Sequence, residues 1–406
     1  MSKDTGIAPR LVSLDTFRGL VMCMLAVNGF AVASTARKLG FGPTDEIETS
    51  YGQMWQWLGF HNSHPAWNSQ FYVIGCSVWD LIQPAFMFMV GVAMPYSYAS
   101  RRKRGASKIN LNSHALIRAV VLVLLGVFLA SHRAGIENNR LLTNVLAQIG
   151  LGYFFVFLLL DRSAKVQIAV GSAVLVVYWA WMAFSPAPNP LPEPAAESIQ
   201  SFHVLDRFGP PFAILTNSAA DVDVALYTVL HGEEIAAPHK AGYATLNFIP
   251  AAITILMGVL AGSLLRGEGD ELGKLKRLIV GGIICMAIAL IASYTVCPIV
   301  KRIWTPSWTL FSGAYMLWAT ALLYWVVDIL GFKKWTFPFV VVGMNSLAIY
   351  LMSSLMKSWI LGLWQTYLGK DIFAGPYGPS LQAAALFLVL WLFCFYLYRN
   401  KIFFRI

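Results

Sequence analysis

The stretch "WDLIQPAFMFMVGVAMPYSYASRRKR" (residues 79–104) decides the fold class. Asp80 opens an apolar run over roughly 80–99, and four consecutive cations, Arg101, Arg102, Lys103 and Arg104, close it. A helix crosses a bilayer with about 20 apolar residues. Cations gather at its cytoplasmic end, so the run reads as a membrane helix that also states its own orientation. The composition of all 406 residues agrees: 57% are hydrophobic, 14% aromatic and only 12% charged. A soluble chain carries about twice that charged fraction, so the excess apolar surface must face lipid.

Nine further segments qualify, giving ten in all: roughly 18–36, 80–99, 114–131, 142–160, 166–184, 244–265, 277–297, 308–328, 337–362 and 380–398. The third is short and carries Arg118 near its start, where a long side chain can snorkel to the interface. With the N-terminus placed in the cytoplasm, twenty of the 30 Lys and Arg residues fall inside and nine outside. Every inside connection is short and basic, as the positive-inside rule requires. The expectation is an all-α integral membrane protein of about ten transmembrane helices, one polytopic domain over 1–406 with both termini cytoplasmic. The net charge of +10 then reflects topology rather than nucleic-acid binding, since no basic stripe runs through a soluble module. "AVASTA" (31–36) has the small residues of a signal-peptidase site, but Asp4, Asp15 and Asn28 depart from a signal peptide and favour a retained span.

Two outer loops are long, 37–78 and 185–243. The first holds "YGQMWQWLGFHNSHPAWN", whose aromatics suit a membrane interface. The second opens with "SPAPNPLPEPAAES", which reads as a proline-stiffened arm. The five cysteines show no CxxC or Cys/His spacing, so a structural metal site is not expected. Cys76 and Cys297 fall near outer span ends; a disulfide between them is one reading, and two separate buried thiols is the expected state.

Polar residues inside spans mark candidate sites. Asn28 lies ten residues beyond Arg18, about 15 Å along a helix, and serves either as an oxyanion donor or as an interhelical hydrogen bond. Asp80 either caps its helix or orients a histidine ring. Asn345 and Ser346 in "GMNS" (343–346), and Asn144 with Gln148 one turn apart, suit either helix packing or a polar channel. His61 and His64 lack a third ligand for a metal, but a neutral imidazole is well matched to general-base work near neutral pH.

"SLDTFRGLVMCMLAVN" (13–28), "HPAWN" (64–68), "WDLIQPAFMFMVGVAM" (79–94), "TLNFIPAAITILMGVLAG" (245–262), "RIWTPSW" (302–308) and "VGMNSLAIY" (342–350) occur in this order on successive spans. Together they resemble the heparan-α-glucosaminide N-acetyltransferase family of transmembrane acetyltransferases, its bacterial members in particular. The resemblance implies acetyl transfer from acetyl-CoA to an amino-sugar amine across a bacterial inner membrane. It also implies a homodimer. Catalytic roles fall on His64, Asn28 and Asp80. Donor contacts are expected from Arg18, Arg101, Arg102 and Arg104, with a pantetheine channel lined by Asn144, Gln148, Asn345 and Ser346. Trp67, Asn68, Trp304 and Ser307 are the expected sugar-binding residues, and no metal is expected. The family's "LQRI" reads "LAQI" (146–149) here, so Gln148 stands where an arginine is common. The intervals flanking "HPAWN" are expanded. The alternative reading is an amino-sugar transporter, with the same polar residues lining a path.

Overall fold

A computed structural model describes residues 11–65, 67, 76–135, 142–186, 208–232, 239 and 241–404. The proline-rich arm from residue 187 onward and Asn68 lie outside the described residues. All regular structure among the described residues is helical. In chain order the α-helices are α1 (Val12–Ala26), α2 (Val32–Lys38), α3 (Ser50–His61), α4 (Val78–Lys103), α5 (Lys108–Ala134), α6 (Val145–Leu159), α7 (Ala164–Ala183) and α8 (Ser218–His231). There follow α9 (Phe248–Arg266), α10 (Glu271–Thr295), α11 (Pro306–Leu323), α12 (Phe337–Met344), α13 (Ser346–Leu355), α14 (Lys357–Leu368) and α15 (Gly378–Arg399).

Among the described residues, seven helices are long and apolar enough to cross a membrane, or up to nine spans if each of two bent pairs counts as one. The difference from ten arises at three places. α6 has 15 residues, about 22 Å at 1.5 Å per residue, and falls short of a full crossing. The segment read as 18–36 is α1 joined to Gly29–Lys38 at a 53° bend. The segment read as 337–362 is Lys334–Met344 joined to Ser346–Leu355 at 66°, after which α14 begins anew at Lys357.

The chain divides into two compact units. One comprises chiefly residues 87–318. Its centre is the crossing of α4 with α9, where a Cβ on Gly91 would overlap the backbone at Ile255, and one on Gly258 or Gly262 would overlap that at Phe88 or Val92. "GVLAG" (258–262) is a GxxxG pattern, whose small residues let helix backbones touch. The apolar window of the α9 span is 72% buried, against 22% for α10. α5, α7 and α10 instead turn apolar side chains such as Leu124, Val177 and Ile291 outward, as helices against lipid do.

The other unit comprises residues 10–65, 76–86 and 319–406. α1 and α12 cross with backbones in contact, since a Cβ on Gly19 would overlap Phe339 and one on Gly343 would overlap the backbone of Asp15. The first turn of α1 is satisfied from afar: Val12 N–H and Ser13 N–H donate to the two carboxylate oxygens of Asp328 at 3.1 and 3.2 Å. These are orphan donors of a helix start, met here by a side chain more than 300 residues away.

Candidate functional site

The site in the second unit is built on the start of α4. Ser77 Oγ accepts from Asp80 N–H at 3.1 Å, and Asp80 Oδ2 receives Ser77 N–H at 3.4 Å. This is a reciprocal capping box, which satisfies two of the helix's orphan donors. Ser77 Oγ also donates to the carbonyl of Ser63 at 2.7 Å, tying the segment after α3 to the start of α4. That tie places His64 beside Asp80, with Nδ1–H donating to Oδ1 at 2.8 Å. Asp80 therefore both caps and orients; the two readings of it are not exclusive.

The pair is asymmetric in exposure. The His64 side chain is 38% exposed and that of Asp80 only 5%. An ionised carboxylate can only accept, so the bond assigns the proton to Nδ1 and the lone pair to Nε2. The arrangement suits a general base whose imidazolium is stabilised by a buried anion. The Trp79 ring lies against the imidazole, centroids 6.3 Å apart.

Asn28 sits at the break between α1 and α2. Asn28, Gly29, Phe30 and Ala31 all have positive φ, from 49° to 60°. Left-handed backbone costs a non-glycine residue roughly 1–2 kcal/mol, and such strain collects at functional sites. Glycine is required at position 29 for a second reason: a Cβ there would overlap Asn62 Oδ1 and touch Trp79. Gly29 thus links the Asn28 turn to the residues flanking His64. The Asn28 side chain is exposed, and no described residue hydrogen-bonds it, so the interhelical bond is not what holds it there. Asn62 Nδ2 donates to Leu58 O at 2.9 Å while its buried Oδ1 has no partner among the described residues.

The remaining expected residues of this unit lie in α1 and at the α12–α13 break. Arg18 Nη1 is 3.9 Å from Asp15 Oδ1. Asn345 is fully buried at the break, its Oδ1 accepting Phe404 N–H at 3.2 Å and its Nδ2 without a partner among the described residues. Ser346 begins α13 and is half-buried.

In the first unit, Asn144 caps α6 by accepting Ala147 N–H at 3.1 Å. Gln148 is buried, its Nε2 donating to the carbonyls of Leu142 and Thr245 at 2.8 and 2.9 Å. Trp67 belongs to an apolar cluster with Tyr178, Met182, Phe212 and Cys297, and its indole donates to Phe212 O at 3.0 Å. Trp304 is buried in left-handed backbone (φ 47°). Ser307 is buried and donates to Pro298 O at 2.6 Å. Arg102 pairs with Asp161 at 2.6 Å, Arg104 is exposed and reaches Ser100 O at 3.4 Å, and Arg101 is half-buried. None of the five cysteines is in a disulfide.

Sequence reasoning passed over Ser77 and Asp223. Ser77 had a local signal, the S-x-x-D spacing at the start of an apolar run. Asp223 had none: it is buried on α8, and its two oxygens receive Thr245 N–H at 3.1 and 3.0 Å. No group of three or more His, Cys, Asp or Glu with the arrangement of a metal site occurs among the described residues.

Against known proteins the chain is 24% identical to human heparan-alpha-glucosaminide N-acetyltransferase over 441 residues, covering 99% of this chain. It resembles a transmembrane acetyltransferase. The mouse protein of the same name is also 24% identical, over 98% of this chain. The chain spans 61% of the length of each of these relatives. No protein-family model matches it. The likeness runs through both units, and it supports the acyltransferase class.

Proposed function

We propose that this chain moves an acetyl group from acetyl-CoA to the amine of glucosamine or a glucosamine-containing sugar, with His64 as general base. The observation that carries the reading is the His64–Asp80 bond at 2.8 Å, which joins "HPAWN" to "WDLIQP". His64 Nε2 takes a proton from the amine as its nitrogen attacks the thioester carbonyl. Asp80 steadies the imidazolium, and the exposed Asn28 amide stabilises the oxyanion. The tetrahedral adduct collapses, the C–S bond breaks, and the CoA thiolate leaves and is reprotonated from the imidazolium. A free amine needs only deprotonation to attack, so direct transfer is the simpler course.

The sidedness follows the charge pattern: donor from the basic, cytoplasmic face of an inner membrane, acceptor from the periplasmic face, in a homodimer. Purified protein given glucosamine and acetyl-CoA releases CoA thiol on this reading. His64→Ala lowers that release by a factor on the order of 10²–10⁴, the usual contribution of a positioned base. Undiminished release from the variant rejects the assignment.

The transporter reading has one observation in its favour, the two broken helix pairs bent by 53° and 66°. Discontinuous helices commonly build substrate sites in transporters. Glucosamine uptake into vesicles without CoA consumption selects it over acetyl transfer.

A further inference from the structure

The positive-inside pattern accounts for cations at helix ends, including Arg102, Lys103, Arg104 and Lys108. Arg118 is counted with them but does not stand at a helix end. That residue lies ten positions into α5 from Lys108, about 15 Å along the helix. Its guanidinium carbon lies 5.0 Å from the centroid of the Tyr153 ring on α6. Its Nε is buried without a hydrogen-bond partner among the described residues. An unpaired cation in such a place is costly unless something neutralises it.

The neighbours make the charge excess worse. His114, one turn back on α5, has its ring 6.0 Å from that of Tyr98 on α4, and its buried Nε2 also has no partner among the described residues. Arg101 lies three residues beyond Tyr98 on α4, so the two side chains share a face of that helix. Among the described residues, the Asp161 carboxylate is taken by Arg102. Beneath the cations, Tyr153 Oη donates to Tyr98 Oη at 3.3 Å, both rings being fully buried. The cluster is a half-buried rim of donors over a floor of phenols, with positive charge and no ion-paired acid among the described residues.

We propose that Arg101, His114 and Arg118, over Tyr98 and Tyr153, form a binding site for a phosphate group. The guanidinium fork matches phosphate oxygens in geometry, and the bonds are charge-assisted. Resting on the acetyltransferase reading above, the phosphate is that of the nucleotide end of acetyl-CoA. An anionic phospholipid headgroup carries the same chemistry from a different source. Arg118, absent from the donor-binding residues expected from sequence, becomes their centre, while Arg102 is committed to Asp161.

The full chain in neutral-lipid nanodiscs, without acceptor, is titrated with CoA and with S-acetylpantetheine, which lacks phosphate. Arg118→Gln weakens CoA binding tenfold or more and leaves S-acetylpantetheine unchanged. Arg118→Lys recovers part of the loss, and Lys276→Gln, removing an exposed cation elsewhere, recovers nothing and loses nothing. Arg101→Gln gives the same selective loss should Arg118→Gln fail to fold. Equal CoA affinity in wild type, Arg118→Gln and Arg101→Gln overturns the site while leaving the acetyltransferase reading intact. Should wild type bind no CoA, the donor assignment of that reading falls, and native mass spectrometry for retained phosphatidylglycerol decides the site. Retention lost in either arginine variant establishes it with lipid as ligand, and absence of retention overturns it.

Discussion

Asp223 faces the Thr245 amide, with the Tyr178 and Tyr227 hydroxyls within reach of its charge. Burial pushes its carboxyl up from the usual 3.8 to about 6, against the opposing pull of the Thr245 N–H. The folded state therefore holds a proton between those two values that the unfolded chain releases. The sign follows from linkage: stability is highest below the unfolded value, falls as pH rises through the window, and stays reduced above about 6. The whole effect is on the order of 3 kcal/mol at most. Thermal unfolding of the wild type in detergent should shift downward between pH 4 and pH 6, and Asp223→Asn, neutral throughout, should flatten that slope. A wild-type curve without the decline shows the carboxyl to be unperturbed. His64 and Asp223 also differ in legibility. His64 stood out through its neighbours "HPAWN", whereas Asp223 sits on α8 without a motif, and its burial depends on an amide 22 residues later.

At the scale of elements, the Ser77–Asp80 capping box matters more than any single span. It starts α4 and, through Ser63, holds the histidine in register with the carboxylate. Ser77→Ala removes a cap worth about 1 kcal/mol and frees the segment carrying His64. The expected result is a loss of kcat with little change in KM for acetyl-CoA, recovered in part by Ser77→Thr, which keeps the hydroxyl. Equal loss in Ser77→Thr and Ser77→Ala would assign the residue to packing alone. The two broken spans show why hydropathy overcounts continuity. Around Asn28 and Asn345 the apolar pattern continues without a Pro to mark a kink, so a window of 20 residues reads one helix. The break at Asn28 lives in four left-handed residues, of which Gly29 and, to a lesser degree, Asn28 are chemically suited to that backbone. The crossing glycines are the converse case: Gly258 and Gly262 carry a recognisable pattern, but which helix they meet is not written beside them.

For the whole molecule, the charge pattern makes a claim about sidedness. Reporter fusions at Gly105 and Gly269, in the short basic connections, should stay cytoplasmic, and one at Gly42, in the loop before α3, should be exported. Cytoplasmic Gly42 would invert the proposed direction of transfer. The membrane character, the helical class and the approximate places of the long spans were determined by the sequence, because hydropathy and end charges act locally and add along the chain. So was the likeness that singles out His64. The tertiary structure alone decided which residues became partners. It set Asp80 against His64, Arg118 over a phenol, and Asp328 on the distant start of α1. Such pairings depend on backbones meeting at glycine crossings and on buried polar groups finding donors across long separations, and no local window carries that information.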